Sequence, residues 1–149
     1  MDAEQSRGAP GARQPGRARG RRWASAKKIL VVNDHAEVRG VITEFLRRRG
    51  FIAIPVRDAD SARVIAERVG LDLVLLHLVA LGVAETALIH LVKRFHPGAP
   101  IIVVSAVVSP TLEEECRALG ADEVLQKPLV LRQLERVITR LLKSGAAGA

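Results

Sequence analysis

Five apolar runs, each followed by a helical stripe, constrain this chain more than any other feature of its sequence. "KILVVN" (28–33), "FIAIPV" (51–56), "LDLVLLH" (71–77), "PIIVVS" (100–105) and "DEVLQ" (122–126) read as strands. Most are apolar without alternation, as in a parallel sheet covered on both faces. After each run, apolar residues recur at helical spacing. The stripes are Val38, Val41, Ile42, Phe45 and Leu46; then Ala62, Ile65, Ala66 and Val69; then Leu88, Leu91, Val92 and Phe95. Leu112, Cys116 and Leu119 make a short fourth, and Leu131, Leu134, Val137, Ile138, Leu141 and Leu142 a long fifth. This strict alternation predicts an α/β fold, an open doubly wound five-stranded parallel sheet with five helices and right-handed connections. Pro55 cannot donate within a central strand, so the second strand belongs at an edge. Gly50, Gly70, Gly120 and Gly145 stand where helices commonly end in a left-handed residue.

In open sheets of this kind ligands bind outside the carboxyl ends of the strands. Asn33, His77, Ser105 and Lys127 all fall at that rim. His77 is the unexpected member, an imidazole in the middle of an apolar stretch.

The 149 residues, 48% of them hydrophobic, suffice for one domain with a core of ordinary size. The single cysteine excludes an internal disulfide framework. The opening "MDAEQSRGAP" has neither the basic lead nor the apolar stretch of a secretory signal, so a cytoplasmic location is expected. The apolar window at 73–84 is interrupted by His77 and Gly82, and falls short of the roughly 18–20 residues that span a bilayer, which argues against a membrane protein. The net charge of +7 is uneven, because residues 1–26 carry six arginines against Asp2 and Glu4. This basic Arg/Gly/Pro-rich tail has no apolar period and is expected to be disordered. Residues 27–143 then form the folded domain, and 144–149 a short flexible end.

The rim residues carry a resemblance. Over about residues 27–143 the chain resembles the receiver domain of bacterial response regulators in two-component and phosphorelay signalling. Receivers have an acidic pair after the first strand, a phosphate-accepting aspartate ending the third, Ser or Thr ending the fourth, and Lys-Pro after the fifth. Here "ILVVND" supplies Asn33 and Asp34, "LVLLH" puts His77 at the acceptor position, "IIVVSA" gives Ser105, and "LQKP" gives Lys127 and Pro128. The aromatic usual three residues before the lysine is Val124, and "VALGVAE" replaces the Pro and Gly of the loop after the third strand. The resemblance implies a flavodoxin-like sheet of order 2-1-3-4-5, and suggests a cis peptide before Pro128.

Receiver chemistry needs hard oxygen ligands for magnesium, a carboxylate nucleophile, and Ser/Thr with Lys to hold the phosphoryl oxygens. Only the last pair is kept, so the expectation is a degenerate phosphorylation site: no cofactor, magnesium binding lost, no enzymatic activity. His77 then reads as an inert replacement bonded to Asp34 or to backbone, and Lys127 as a partner of Asp34. Three alternatives stay open: phosphorylation at His77 or Asp34, a transition-metal site of His77, Asp34 and His35, and an anion on Lys127 and Ser105. Cys116 reads as core, and His90 and His96 have no partner pattern.

Two surfaces are candidates for contact. The apolar loop with Leu78, Val79, Leu81 and Val83 suits a protein partner, with Leu81 as anchor. Arg17, Arg19, Arg21, Arg22 and Trp23 make the composition of a polyanion-binding segment, so nucleic acid through residues 1–28 is a third reading. The leading expectation is a stand-alone degenerate receiver. It works by phosphorylation-independent contact with a histidine kinase, regulator or effector, and a homodimer is compatible with it.

Overall fold

A computed structural model describes residues 26–148, with side chains through 144. Strands β1 (Lys28–Val32), β2 (Ile52–Val56), β3 (Leu73–Leu78), β4 (Ile101–Ser105) and β5 (Glu123–Gln126) alternate with helices α1 (Ala36–Arg48), α2 (Ala59–Arg68), α3 (Val83–Phe95), α4 (Pro110–Leu119) and α5 (Leu131–Gly148). The sheet is parallel throughout, in the order β2-β1-β3-β4-β5. Pro55 lies on β2 at the edge, opposite Val31. The missing amide therefore leaves the ladder to β1 intact.

The period of two along each strand divides the core into two layers. Ile29, Val31, Leu73, Leu75, Ile102, Val104 and Leu125 face α1 and α5, where Ile42, Leu46, Leu134, Val137 and Ile138 meet them. Leu30, Val32, Val74, Leu76, Leu78, Ile101 and Val103 face α2, α3 and α4, against Ala62, Ala66, Leu88, Ile89, Val92 and Cys116. Cys116 is fully buried, as its place on the stripe predicts. Val41 and Phe95 depart from their stripes, at 57% and 56% exposed. They sit at the margins of the apolar faces, beyond the reach of the sheet.

Local chemistry starts the helices. The Nδ1 of His35 accepts from the Val38 amide at 3.3 Å, Asp58 accepts from Ser61 at 2.8 Å, and Ser109 from Leu112 at 3.1 Å. Gly50 and Gly120 have φ of 92° and 124°, the left-handed region that terminates a helix. Gly70 does not, since α2 ends at Val69 in extended backbone. Gly145 lies inside α5, which continues to Gly148 where a flexible end from residue 144 was expected. The alanines of this stretch are strong helix formers and offset the glycines. His96, for which the sequence shows no partner pattern, bonds the Ala66 carbonyl through Nε2 at 2.7 Å and joins the ends of α2 and α3. Among the described residues no helix is long and apolar enough to cross a membrane.

Candidate functional site

The carboxyl rim of the sheet brings His77, Asp34, Asn33 and Lys127 together. His77 follows Leu73 and Leu75 in phase on β3, so its ring points to the α1 and α5 side. Lys127 follows Glu123 and Leu125 in phase and points the same way. His77 Nε2 lies 3.2 Å from Asp34 Oδ1 and 3.4 Å from Lys127 Nζ. The contact with Asp34 is the one expected for a replaced acceptor. Lys127 differs from expectation, because its ammonium meets the imidazole rather than the Asp34 carboxylate. The shared side-chain phase on β3 and β5 explains this, while Asp34 reaches in from the loop after β1 and stays 64% exposed.

The other ring nitrogen is distinctive. His77 Nδ1 is buried without a hydrogen-bond partner among the described residues. Beside the ring is a cavity of about 20 Å³ lined by Val31, Asn33, Leu75, Val104 and Leu129, large enough for a single water. A Nε2–H tautomer donates to Asp34, whereas an unprotonated Nε2 accepts from Lys127. Burial, and then the Lys127 ammonium, hold the imidazole below its usual pKa; Asp34 opposes them and His35 adds to them.

The remaining rim residues are turned to local structure. Asn33 is buried, and its Oδ1 accepts from the His35 amide at 2.8 Å while its carbonyl accepts from Arg39 at 2.8 Å. The ring of His35 caps α1, so His77, Asp34 and His35 do not converge on a common point; among the described residues no group of three such side chains does. Ser105 is buried with its hydroxyl donating to the Val107 carbonyl at 3.1 Å. The Lys127 amide donates to the Ser105 carbonyl at 2.8 Å, and the Lys127–Pro128 peptide is cis. Val124 is half-buried against the layer that contains α4.

The apolar loop divides differently from expectation. Leu78 belongs to β3, opposite Ser105, and is 1% exposed. It is core, because the strand runs one residue past His77 and returns to the phase that faces α3. Leu81 is half-buried against the same layer, which removes it as an exposed anchor. Val79 and Val83 do face solvent, at 79% and 88% exposed. Val107 and Val130, on the loops after β4 and β5, are exposed on the same rim and carry no periodic signal in the sequence. Arg17, Arg19, Arg21, Arg22 and Trp23 lie outside the described residues.

A three-element ion-pair network was also invisible in the sequence. Glu123 on β5 bonds Arg140 of α5 at 2.6 Å and Arg117 of α4 at 3.0 Å. Burial pushes the Glu123 carboxyl up, but the bonds from Arg140 and Arg117 outweigh it and hold the pKa below its ordinary value.

Comparison with known proteins agrees with this architecture. The family model for the response regulator receiver domain matches residues 29–139. Sensory transduction protein RegX3 of Mycolicibacterium smegmatis is 34% identical over 118 residues, covering 79% of this chain and 51% of that protein. A cyclic di-GMP phosphodiesterase of Thermotoga maritima is 26% identical over 116 residues, 78% of this chain and 31% of that protein. The chain thus spans about half or less of the length of these relatives. A CheY-like receiver domain protein from Methanospirillum hungatei superposes with a TM-score of 0.78 at 22% identity, over 84% of this chain and 100% of its own. With the family model spanning most of the chain and the sheet order in agreement, the chain belongs to the response regulator receiver domain family of two-component signalling.

Proposed function

We propose that this receiver is degenerate and signals without an aspartyl phosphate, through contact with a protein partner in the cytoplasm. The observation that carries the reading is the closed arrangement of His77. Its Nε2 stands against both the remaining rim carboxylate and the rim lysine, at 3.2 and 3.4 Å. A receiver needs those two groups free for metal and phosphoryl oxygens.

The donor set does not suit magnesium. That ion takes near-octahedral oxygen ligands and favours carboxylates. Here Asp34 is the carboxylate that contacts His77, the Asn33 Oδ1 is used by the His35 amide, and imidazole is a ligand for softer metals. With no carboxylate nucleophile at position 77, the domain has no acyl phosphate at the usual acceptor position and carries no catalysis of its own. Binding to a histidine kinase, regulator or effector is then its signalling act, and the exposed Val79, Val83, Val107 and Val130 leave apolar surface on the rim for it.

The test is exposure of the purified chain to acetyl phosphate and magnesium, followed by intact-mass measurement. The expected result is no added phosphoryl mass. A stoichiometric, hydroxylamine-sensitive phosphate overturns the reading, and an acid-labile phosphate mapped to His77 replaces it with phosphorylation at the imidazole.

A further inference from the structure

Two voids on the α1 and α5 side of the sheet share a wall. The inner one is the cavity of about 20 Å³ beside His77. The outer one is a groove of about 510 Å³ between α1 and the segment that leads from β5 into α5, with Val41, Pro128 and Leu131 on its walls. Val38, Ile42, Lys127 and Leu129 line both. Small-molecule sites run from about 300 to 1,000 Å³, so the outer groove has room for an organic ligand. The inner cavity takes about one water.

The two charges of the groove differ in depth and in company. Lys127 is half-buried where groove and cavity meet, whereas Glu37 is exposed in the first turn of α1 and lines the groove alone. The neighbour of Lys127 Nζ is the His77 imidazole at 3.4 Å, and among the described residues it forms no ion pair with a carboxylate, since Asp34 pairs with His77 instead. An imidazole brings no negative charge. A cation already partly withdrawn from water and lacking a counter-ion gains most from an anion, because the low local dielectric strengthens a charge-assisted hydrogen bond.

These walls define a ligand by its chemistry. Its anionic group belongs at Lys127 and its body against the valines and leucines. A second negative charge would meet Glu37, so the ligand carries one. The inner cavity is too small to admit the acid, which therefore stops at the ammonium.

The geometry points to a binding site for a small apolar monocarboxylic acid in the α1–α5 groove, with its carboxylate on Lys127 and its body on Val38, Val41, Leu129 and Leu131. The bound carboxylate neutralises the cation that holds His77 below its usual pKa, so filling the groove raises the pKa of the ring and couples the ligand to the rim. This goes beyond the degenerate reading and is tested without phosphate.

Phenylpropanoate, phenylpropanol and phenylpropylamine share one apolar body and differ in charge. Titrated into the full chain, the acid should give saturable amide shifts at Val38, Val41, Leu129 and Leu131, about tenfold tighter than the alcohol and tighter than the amine. The His77 ring should titrate at higher pH with the acid present. Lys127→Met should bring acid and alcohol level, and Glu37→Gln should strengthen the acid. Val41→Asp, at a position 57% exposed, should weaken it while circular dichroism stays unchanged. Equal binding of acid and alcohol by the unmodified chain overturns the proposal, as does a preference for the acid that survives Lys127→Met. Shifts confined to residues 1–25 also overturn it, since the acid then sits on the basic tail.

Discussion

The imidazole of His77 meets the carboxylate of Asp34 at 3.2 Å across the rim, yet the ring is held below its usual pKa. Burial and Lys127 outweigh the attraction of Asp34. The neutral ring is therefore the folded form near neutral pH, and the unfolded chain binds the proton more readily. Stability from this group is complete above the unfolded value, about 6.5, and falls as pH drops from there through the lower folded value. Denaturant unfolding between about pH 5 and pH 8 should show that decline, and His77→Gln should flatten it. By NMR titration, Asp34→Asn should lower the ring pKa further and Lys127→Met should raise it.

Restoring oxygen ligands should restore metal affinity. Asn33→Asp with His77→Asp places three carboxylates at the rim, and magnesium titration followed by amide chemical shifts should show saturable binding near residues 33, 34 and 77. The unmodified chain should show none at the same concentrations. Saturable magnesium binding by the unmodified chain contradicts the account of its donor set.

The loop after β3 should respond according to burial rather than hydrophobicity. Leu78→Ala, deep in the layer against α3, should cost about 2–5 kcal/mol. Val79→Asp and Val83→Asp should stay within about 0.5 kcal/mol of the parent. Leu81→Asp should lower the melting temperature measurably, because its half-buried side chain packs on the core. If Leu81→Asp melts like Val79→Asp, Leu81 returns as an exposed contact residue.

The Glu123 network should be pH-dependent in the opposite sense to a raised base. Its carboxyl is held below the ordinary glutamate value of about 4.3, so its contribution is complete above that pH and is lost as pH falls through the folded value. Glu123→Gln should cost on the order of 1 kcal/mol at neutral pH and little in strong acid. An equal loss at both pH values would assign the effect to packing instead.

Much of the fold was legible because burial on both faces of a sheet leaves a direct trace in composition. The runs at 28–33 and 100–105 mark β1 and β4 within a residue, and Pro55 marks the edge. The end of β3 was not legible. A histidine closing an apolar run looks like a strand terminus, but the length of β3 is set by pairing with β4, where Leu78 faces Ser105. That one residue moves Leu78 from the surface to the core. The gathering of Asn33, His77 and Lys127 at one rim could be read from strand ends alone. The partner of Lys127 could not, since it depends on side-chain phase across two strands. Glu123 with Arg117 and Arg140 joins residues with no periodic relation, and only the folded sheet brings them together.

Cys116 gives α4 a reporter of its own. The chain has one thiol, it is fully buried in the layer under α4, and burial, with Glu115 adding to it, raises the thiol's pKa. A disulfide reagent can reach the sulfur only while that helix is open, and the rate of modification at saturating reagent is then the rate of opening. Slow labelling that matches global unfolding means that α4 opens only with the whole domain. Faster labelling means that it opens alone, and the ratio of the two rates measures how independently this helix moves.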